Sequence, residues 1–169
     1  MSAGEENRPD PGPFERIADE LDYPMYVVTA AAGTERAGCL VGFASQCSID
    51  PVRMMVWLSK RNRTYRVAQR TDTIVVHLLR EGDRELAEVF GGTTGDEIDK
   101  FRSLSWRSGP GGAPVLADCD WFAGHVLSQV DGGDHAGFLV EPVGGAVARS
   151  GAVPLGFQAL RSIEPGHGA

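Results

Sequence analysis

The alternation of apolar and polar residues predicts a chain built mainly from β-strands. The segments PMYVVTAA and CLVGFAS flank a polar turn at residues 33–38, a pattern that is typical of a β-hairpin. Further segments are short and rich in β-branched or aromatic residues, and we predict strands in MMVWLS, TIVVHLL, WFAGHVLSQV, GFLVEPV, GAVARS and LGFQALR. So many short strands favour an antiparallel split β-barrel of six or more strands in Greek-key-like order, because closure removes exposed strand edges.

A few short helices interrupt this strand pattern. After Pro13, the residues Phe14, Ile17 and Leu21 recur at helical spacing, which predicts an amphipathic helix whose apolar stripe caps the sheet. Further helices are predicted in segments that begin with a helix-capping residue type, at Asn62, Asp83 and Thr94. The predicted fold is therefore a mainly β domain with short peripheral helices.

Length and composition favour one folded domain. A chain of 169 residues with 42% hydrophobic and 23% charged residues is long enough to bury one core. We expect flexible tails at residues 1–12 and 164–169, which are poor in apolar residues, and a single domain at residues 13–163. No segment approaches the roughly 18 apolar residues of a membrane span, so we expect a cytoplasmic protein without a membrane partner.

Charge and motifs disfavour several functional classes. A formal net charge of -7 repels phosphate backbones, which argues against a nucleic-acid partner. The chain lacks the G-x-G-x-x-G and G-x-x-x-x-G-K-[ST] nucleotide motifs, and it also lacks H-E-x-x-H. Its four histidines and three cysteines are widely spaced, so no metal site is expected and the thiols are interpreted as reduced and mostly buried. A hydrolase has no positive support in this pattern.

The segment GFASQCSIDP, from Gly42 to Pro51, is the first candidate for a ligand site. It leaves a strand through small and hydroxyl residues and ends at an Asp-Pro turn, which predicts a polar loop. Ser45, Gln46 and Ser48 offer hydroxyl and amide groups that suit the carbonyl and imine edge of a flat heterocycle. The alternative, a plain polar connection between strands, is favoured by composition alone.

The segment LSKRNRTYR predicts a phosphate-binding turn. A strand ends there and Asn62 is placed to cap a helix, so the free backbone N–H groups of the first turn and the Lys60 ammonium attract an anion. A solvated basic helix face explains the same residues equally well. A third candidate is His135, which opens a strand after the turn formed by Gly132 and Gly133, although a lone histidine at a strand start is more often an ordinary surface residue.

Taken in order, these segments resemble the flavin reductase family of FMN-binding split barrels. The resemblance covers about residues 14–163 and rests on residues 24–65, on IVVHLL with DRELAEVFGG, and on GGDHAGFLVEPVGG. It implies a catalytic role for His135, near the reduced nicotinamide. It also implies a set of cofactor-binding residues: Thr29, Ala44, Ser45, Gln46, Cys47, Ser48, Ser59, Lys60, Asn62, Thr64, His77, Leu78, Leu79 and Phe90.

The resemblance further implies hydride transfer from NADH or NADPH to FMN or FAD, chemistry that the cofactors carry while the protein supplies orientation. It implies a homodimer that completes the cofactor pocket, and reduced flavin that can feed a monooxygenase partner. The second hypothesis for the function is a flavin-binding electron carrier or sensor without its own nicotinamide reaction. The third is a non-catalytic interaction module. Two departures from the family pattern stand out. Gln46 and Cys47 occupy positions where many members have small or hydroxyl residues, and Val52 replaces the second proline often found after the Asp-Pro pair.

Overall fold

The structure is a computed structural model that describes residues 10–92 and 99–163. Its nine strands are β1 (Tyr26–Ala32), β2 (Glu35–Val41), β3 (Ala44–Ile49), β4 (Val52–Ser59), β5 (Thr73–Leu78), β6 (Trp106–Ser108), β7 (Pro114–Leu116), β8 (Asp120–Asp131) and β9 (His135–Ala146). Its α-helices are α1 (Gly12–Glu20), α2 (Arg63–Ala68) and α3 (Arg84–Gly92). Short 3₁₀ turns lie at Glu81–Asp83, Pro110–Gly112 and Phe157–Leu160.

Seven strands form one antiparallel sheet in the order β2–β1–β5–β8–β9–β4–β3, and β6 pairs with β7 in a separate two-stranded ribbon. The prediction of a mainly β, antiparallel fold with a few short helices is confirmed. Strands β1 and β5 lie inside the sheet, where β-branched residues such as Val28 and Val76 are fully buried. Strand β3 lies at one edge of the sheet. Five of its six residues are small or polar, whereas strands are usually rich in β-branched and aromatic residues.

Several predicted element boundaries are wrong. CLVGFAS contains two strands, because β2 ends at Val41 and β3 begins at Ala44. GFLVEPV and the start of GAVARS are one long strand, β9, whereas LGFQALR contains a 3₁₀ turn rather than a strand. The helix predicted from Thr94 begins outside the described residues, as do most of the two predicted tails.

Helix α1 does not cap the sheet as predicted. All of α1 lies in the described part of the chain, and none of its residues is buried. Phe14 is 70% exposed and Ile17 is 61% exposed, so the apolar stripe faces outward. The helix is tied to the domain through its end, where the Gln158 amide donates hydrogen bonds to the carbonyl oxygens of Asp19 and Leu21.

The described residues form three apolar clusters that stabilise the sheet, and two of them are large. One lies between α2 and the sheet and includes Val28, Leu58 and Phe138, all fully buried. The other joins β1 and β2 to α3 and to the C-terminal segment, and includes Phe90 and Leu160. Burial of these side chains is the main favourable contribution to folding, about 1.5–3 kcal/mol for each large one.

The C-terminal segment is fastened beside β1 and β5. The backbone N–H of Met25 donates to the carbonyl of Leu155, the N–H of Leu155 donates to Leu79, and the N–H of Phe157 donates to Tyr23. These bonds place Phe157 beside Tyr23. No helix within the described ranges is long and apolar enough to cross a membrane.

Candidate active site

A cleft of about 410 Å³ opens at the end of the sheet where β4 and β9 meet, and we call it the His135 cleft. It is lined by Met25, Cys39, Leu40, Phe43, Ser59, Asn62, Phe90, Gly91, Asp134, His135, Phe157, Leu160 and Ile163. Most of these side chains are apolar, and a few polar groups stand at one side. This composition and size match pockets of about 300–1,000 Å³ that bind small organic ligands.

The polar side of the cleft is built by the register between β4 and β9. Ser59 is the direct partner of His135 in that register, so both lie at the same end of the sheet. The chain then turns, and the backbone N–H of Asn62 donates to the carbonyl of Ser59. The N–H of Lys60 donates to the carbonyl of Asp134, which ties the β8–β9 turn to the end of β4.

His135 is held by its neighbours in this turn. Its Nδ1 lies 2.7 Å from Oδ1 of Asp134, and this hydrogen bond holds the pKa of the Asp134 carboxyl below its usual value. The imidazole ring lies 5.3 Å from the ring of Phe43, centre to centre, in a tilted arrangement. His135 therefore presents a fixed, partly exposed ring at the boundary of the cleft.

An aromatic wall continues away from His135. Phe43 lies 6.1 Å from Tyr23, and Tyr23 stacks on Phe157 with ring centres 4.9 Å apart. Gly42 allows this approach, because a Cβ atom there would stand 2.7 Å from Cε2 of Tyr23. At the floor, burial raises the pKa of the Cys39 thiol to about 11, so this sulfur stays protonated and does not act as a nucleophile at neutral pH.

The structure brings together only some of the residues predicted from sequence. Ser59, Asn62, Phe90 and His135 all line the cleft. Lys60 does not: its ammonium lies 2.7 Å from the Asp131 carboxylate, and this contact lowers the pKa of Asp131. Asn62 occupies the cap position of α2 as predicted, but its side chain makes no capping bond and α2 is only six residues long.

The predicted loop from Gly42 to Pro51 is mostly a strand. Residues 44–49 form β3, paired with β4, and a bulge between Gln46 and Ser48 accommodates Cys47 as the extra residue. Gln46, Cys47 and Ser48 line a separate open groove at the other end of β3. Since an extended strand rises about 3.3 Å per residue, Ser48 lies roughly 16 Å from Phe43 along the chain. Within one chain, most of this segment is away from the His135 cleft.

Other predicted residues are engaged inside the core. Thr29 is fully buried, and its hydroxyl donates to the carbonyl of Pro114 at 2.6 Å. His77 is fully buried as well: Nδ1 lies 3.0 Å from the Val27 carbonyl, and Nε2 accepts from the N–H of Leu116. These bonds engage the polar side-chain atoms of both residues within the core, and neither Thr29 nor His77 is among the residues that line the His135 cleft.

Three further predicted residues stand back from the cleft. Leu79 is fully buried and Thr64 is 2% exposed, so both are covered by protein. Leu78 is half-buried on β5 and is not among the residues that line the cleft. The segment TIVVHLL therefore lies in the core behind the cleft, and its side chains are not among those that line the cleft.

Two aromatic residues near His135, Phe43 and Trp57, were not assigned to the site from the sequence. Phe43 is 54% exposed between β2 and β3, and Trp57 is paired with Gly137 across β4 and β9. The sequence did contain a signal for Trp57, because the glycines at 132 and 137, on either side of His135, leave room for a bulky neighbouring side chain. It could be interpreted only once the register of β4 against β9 was known.

The arrangement suits a planar, partly polar ligand. Aromatic and aliphatic side chains can pack on a ring, while the Ser59 hydroxyl, the Asn62 amide and the imidazole of His135 offer hydrogen bonds to its edge. Within residues 10–92 and 99–163 no group of three or more His, Cys, Asp or Glu side chains could hold a metal ion. The apolar and hydrogen-bonding side chains that line the cleft fit an organic cofactor such as a flavin ring.

Fold and cleft together define a small antiparallel β-domain with a largely apolar, ring-sized cleft at the end of its sheet. The chain belongs to the family described as the flavin reductase like domain, whose model matches residues 18–163. It is 29% identical over 149 residues to a high molecular weight rubredoxin of Moorella thermoacetica, a match that covers 86% of this chain and 65% of that relative. The chain thus spans less than two thirds of that protein.

A second relative matches over most of both chains. It is named ferric-chelate reductase (NAD(P)H) of Archaeoglobus fulgidus, and it is 25% identical over 137 residues, which are 79% of this chain and 81% of that protein. Among solved structures, the NADH:FAD oxidoreductase SgcE6 of Streptomyces globisporus C-1027 superposes with a TM-score of 0.79 at 21% identity. That superposition covers 91% of this chain and 94% of SgcE6, so the two share a fold.

Proposed function

We propose that this protein is an NAD(P)H-dependent flavin reductase that transfers a hydride from reduced nicotinamide to FMN or FAD. The observation that carries the proposal is the His135 cleft, an apolar, ring-sized pocket with hydrogen-bonding groups on one side, in a chain of the flavin reductase like family. The relatives named as reductases of flavin or of ferric chelates support the same chemistry.

Each side of the cleft has a role in this proposal. Phe43 and Leu40 pack on the flavin ring, and Ser59 and Asn62 donate hydrogen bonds to its polar edge. His135, fixed by Asp134, positions the nicotinamide. When bound, the flavin supplies the hydride-accepting chemistry, and the protein contributes orientation and exclusion of water.

Lys60 remains our candidate for the flavin phosphate, with one condition. Its ammonium is paired with Asp131, and so the phosphate has to replace that carboxylate. A dianion is a stronger partner for an ammonium than a single, exposed carboxylate. Competition from Asp131 favours a flavin that binds and leaves as a substrate over one that is held permanently.

We also propose a homodimer and a split-barrel closure of the sheet. Gln46, Cys47 and Ser48 line a groove separate from the His135 cleft within one chain, which is the expected arrangement if the pocket is shared between two subunits. Large apolar side chains stay exposed near the β3–β4 turn, including Ile49 and Val52. In the cytoplasm, where reduced nicotinamide nucleotides are available, the reduced flavin would serve a monooxygenase partner.

The test of the proposed function is steady-state oxidation of NADH and NADPH with FMN, FAD or riboflavin present. We expect oxidation that saturates with both substrates and exceeds the rate with flavin alone. His135→Ala should raise KM for the nicotinamide nucleotide while the flavin dissociation constant changes little. Tight flavin binding without any nicotinamide oxidation would contradict the reductase and support the electron carrier.

A further inference from the structure

A second, smaller pocket adjoins the His135 cleft and shares part of its lining. It has a volume of about 240 Å³ and is lined by Phe43, Trp57, Gly132, Asp134 and His135. Phe43, Asp134 and His135 line both spaces, so one ligand can extend from one to the other. We call it the Trp57 pocket.

The indole of Trp57 is packed directly onto backbone. A Cβ atom at Gly132 would lie 2.4 Å from Cζ3 of Trp57, and one at Gly137 would lie 2.9 Å from the same atom. Glycine is therefore needed at both positions for the ring to lie where it does. The β4–β9 register produces this contact, since Trp57 is paired with Gly137.

The Trp57 pocket has the chemistry of a site for a heteroaromatic base. Two aromatic side chains and an imidazole bound it, and rings stack favourably on such surfaces. Its one acidic group is the Asp134 carboxylate, which can accept a hydrogen bond from an exocyclic amino group. At 240 Å³ the pocket is smaller than the ~300–1,000 Å³ of pockets that take whole ligands, so it suits one part of a larger molecule.

We propose that the Trp57 pocket binds the adenine ring of a dinucleotide whose other ring occupies the His135 cleft. This inference rests on the proposed flavin reductase function. An adenine carries the required amino group, and a dinucleotide has two rings joined by a linker, as two pockets with shared walls require. The adenine belongs either to the nicotinamide nucleotide or to FAD, and the experiment distinguishes these two sources.

The first measurement is calorimetric binding of ADP-ribose, which carries the adenosine but no reactive ring. Loss of one stacking partner weakens binding of a base by roughly 5- to 150-fold. Trp57→Leu should raise the ADP-ribose dissociation constant by such a factor, and Trp57→Phe should restore most of the affinity. Phe43→Leu, at an exposed position that does not endanger folding, should also weaken binding.

Trp121→Leu is the matched control, because Trp121 is another half-buried tryptophan and is paired with Ala146 at the opposite end of β9. It should leave ADP-ribose binding unchanged. Absence of ADP-ribose binding to the wild-type protein, or equal affinity in Trp57→Leu and wild type, would overturn the proposal. This measurement does not depend on turnover, so it decides the pocket even if the protein fails to oxidise NADH.

The second measurement identifies the source of the adenine. If the adenine comes from the nicotinamide nucleotide, Trp57→Leu raises KM for NADH but not for reduced nicotinamide mononucleotide, which lacks adenosine. If it comes from FAD, the substitution weakens FAD but not FMN. Equal effects within both pairs would overturn the proposal, because they would mean that Trp57 acts on the shared ring instead.

Discussion

His77 and His135 lie in the same sheet, on β5 and β9, but their surroundings differ completely. His77 bonds to backbone through both ring nitrogens and is fully buried. His135 has one nitrogen on Asp134 and faces the cleft. The family resemblance assigned both to the site, because a histidine in a strand carries no sign of which face it occupies.

The burial of His77 makes the free energy of unfolding depend on pH. Burial lowers the pKa of His77 from 6.5 to about 4, and a proton on Nε2 would break the bond from the Leu116 N–H. Above pH 6.5 the ring is neutral in both the folded and the unfolded chain, and below it only the unfolded chain takes up the proton. The free energy of unfolding should therefore fall by about 3 kcal/mol between pH 7 and pH 4 through this residue.

Urea unfolding at a series of pH values measures this effect. His77→Gln keeps one donor and one acceptor but does not titrate, and so it should lose this part of the pH dependence. If the variant and the wild type lose stability in parallel over that range, His77 is not the responsible group.

We predict that Lys60 contributes to binding of the flavin phosphate. Lys60→Ala should weaken FMN binding by about 1.5 kcal/mol, the size of a hydrogen bond to a charged group, and should leave riboflavin binding unchanged because riboflavin has no phosphate. Asp131→Asn removes the competing carboxylate and should strengthen FMN binding. Fluorescence titration of both flavins gives the dissociation constants, and equal loss of FMN and riboflavin in Lys60→Ala would remove Lys60 from the phosphate site.

At the scale of elements, the central strands and α2 could be predicted, whereas β3 and α1 could not be placed. Strand β5 is a run of mostly β-branched residues, as is typical of a buried strand. Its sequence pattern therefore predicts its position inside the sheet. Strand β3 consists largely of small and polar residues at a sheet edge, which made it resemble a loop. The periodicity of α1 is real, but periodicity does not say whether an apolar stripe packs within the same chain.

The exposure of α1 predicts a sharp contrast between two isoleucines. Ile17→Ala on α1 should change the free energy of unfolding by less than about 0.5 kcal/mol, because its side chain makes little contact. Ile74→Ala on β5 should cost about 2–5 kcal/mol, because Ile74 is fully buried and its truncation leaves a cavity. Chemical denaturation of the two variants provides the comparison, and a large loss in Ile17→Ala would show that α1 packs against the domain.

At the scale of the molecule, one chain leaves its apolar surface incompletely covered. Ile49 is 83% exposed and Val52 is 48% exposed, on the turn that joins β3 to β4. The β4–β9 register brings Val143, also exposed, close to the same end of the sheet. A surface of this kind favours association of two copies.

Sedimentation equilibrium tests the proposed homodimer. We expect the mass of two chains for the wild type and a shift towards one chain in Ile49→Asp or Val52→Asp, because a charge is costly in an apolar interface. Val153→Asp is the control, since Val153 is similarly exposed but lies on the C-terminal segment. A wild-type mass of one chain over the whole concentration range would contradict the dimer.

The central claim is that the His135 cleft brings reduced nicotinamide to a bound flavin. Rapid mixing of the protein and FMN with NADH without oxygen, followed through the flavin absorbance, tests it most directly. We expect bleaching that saturates with NADH, and a requirement for much more NADH in His135→Ala. Bleaching no faster than that of FMN with NADH alone, or an identical NADH dependence in the variant, would contradict it.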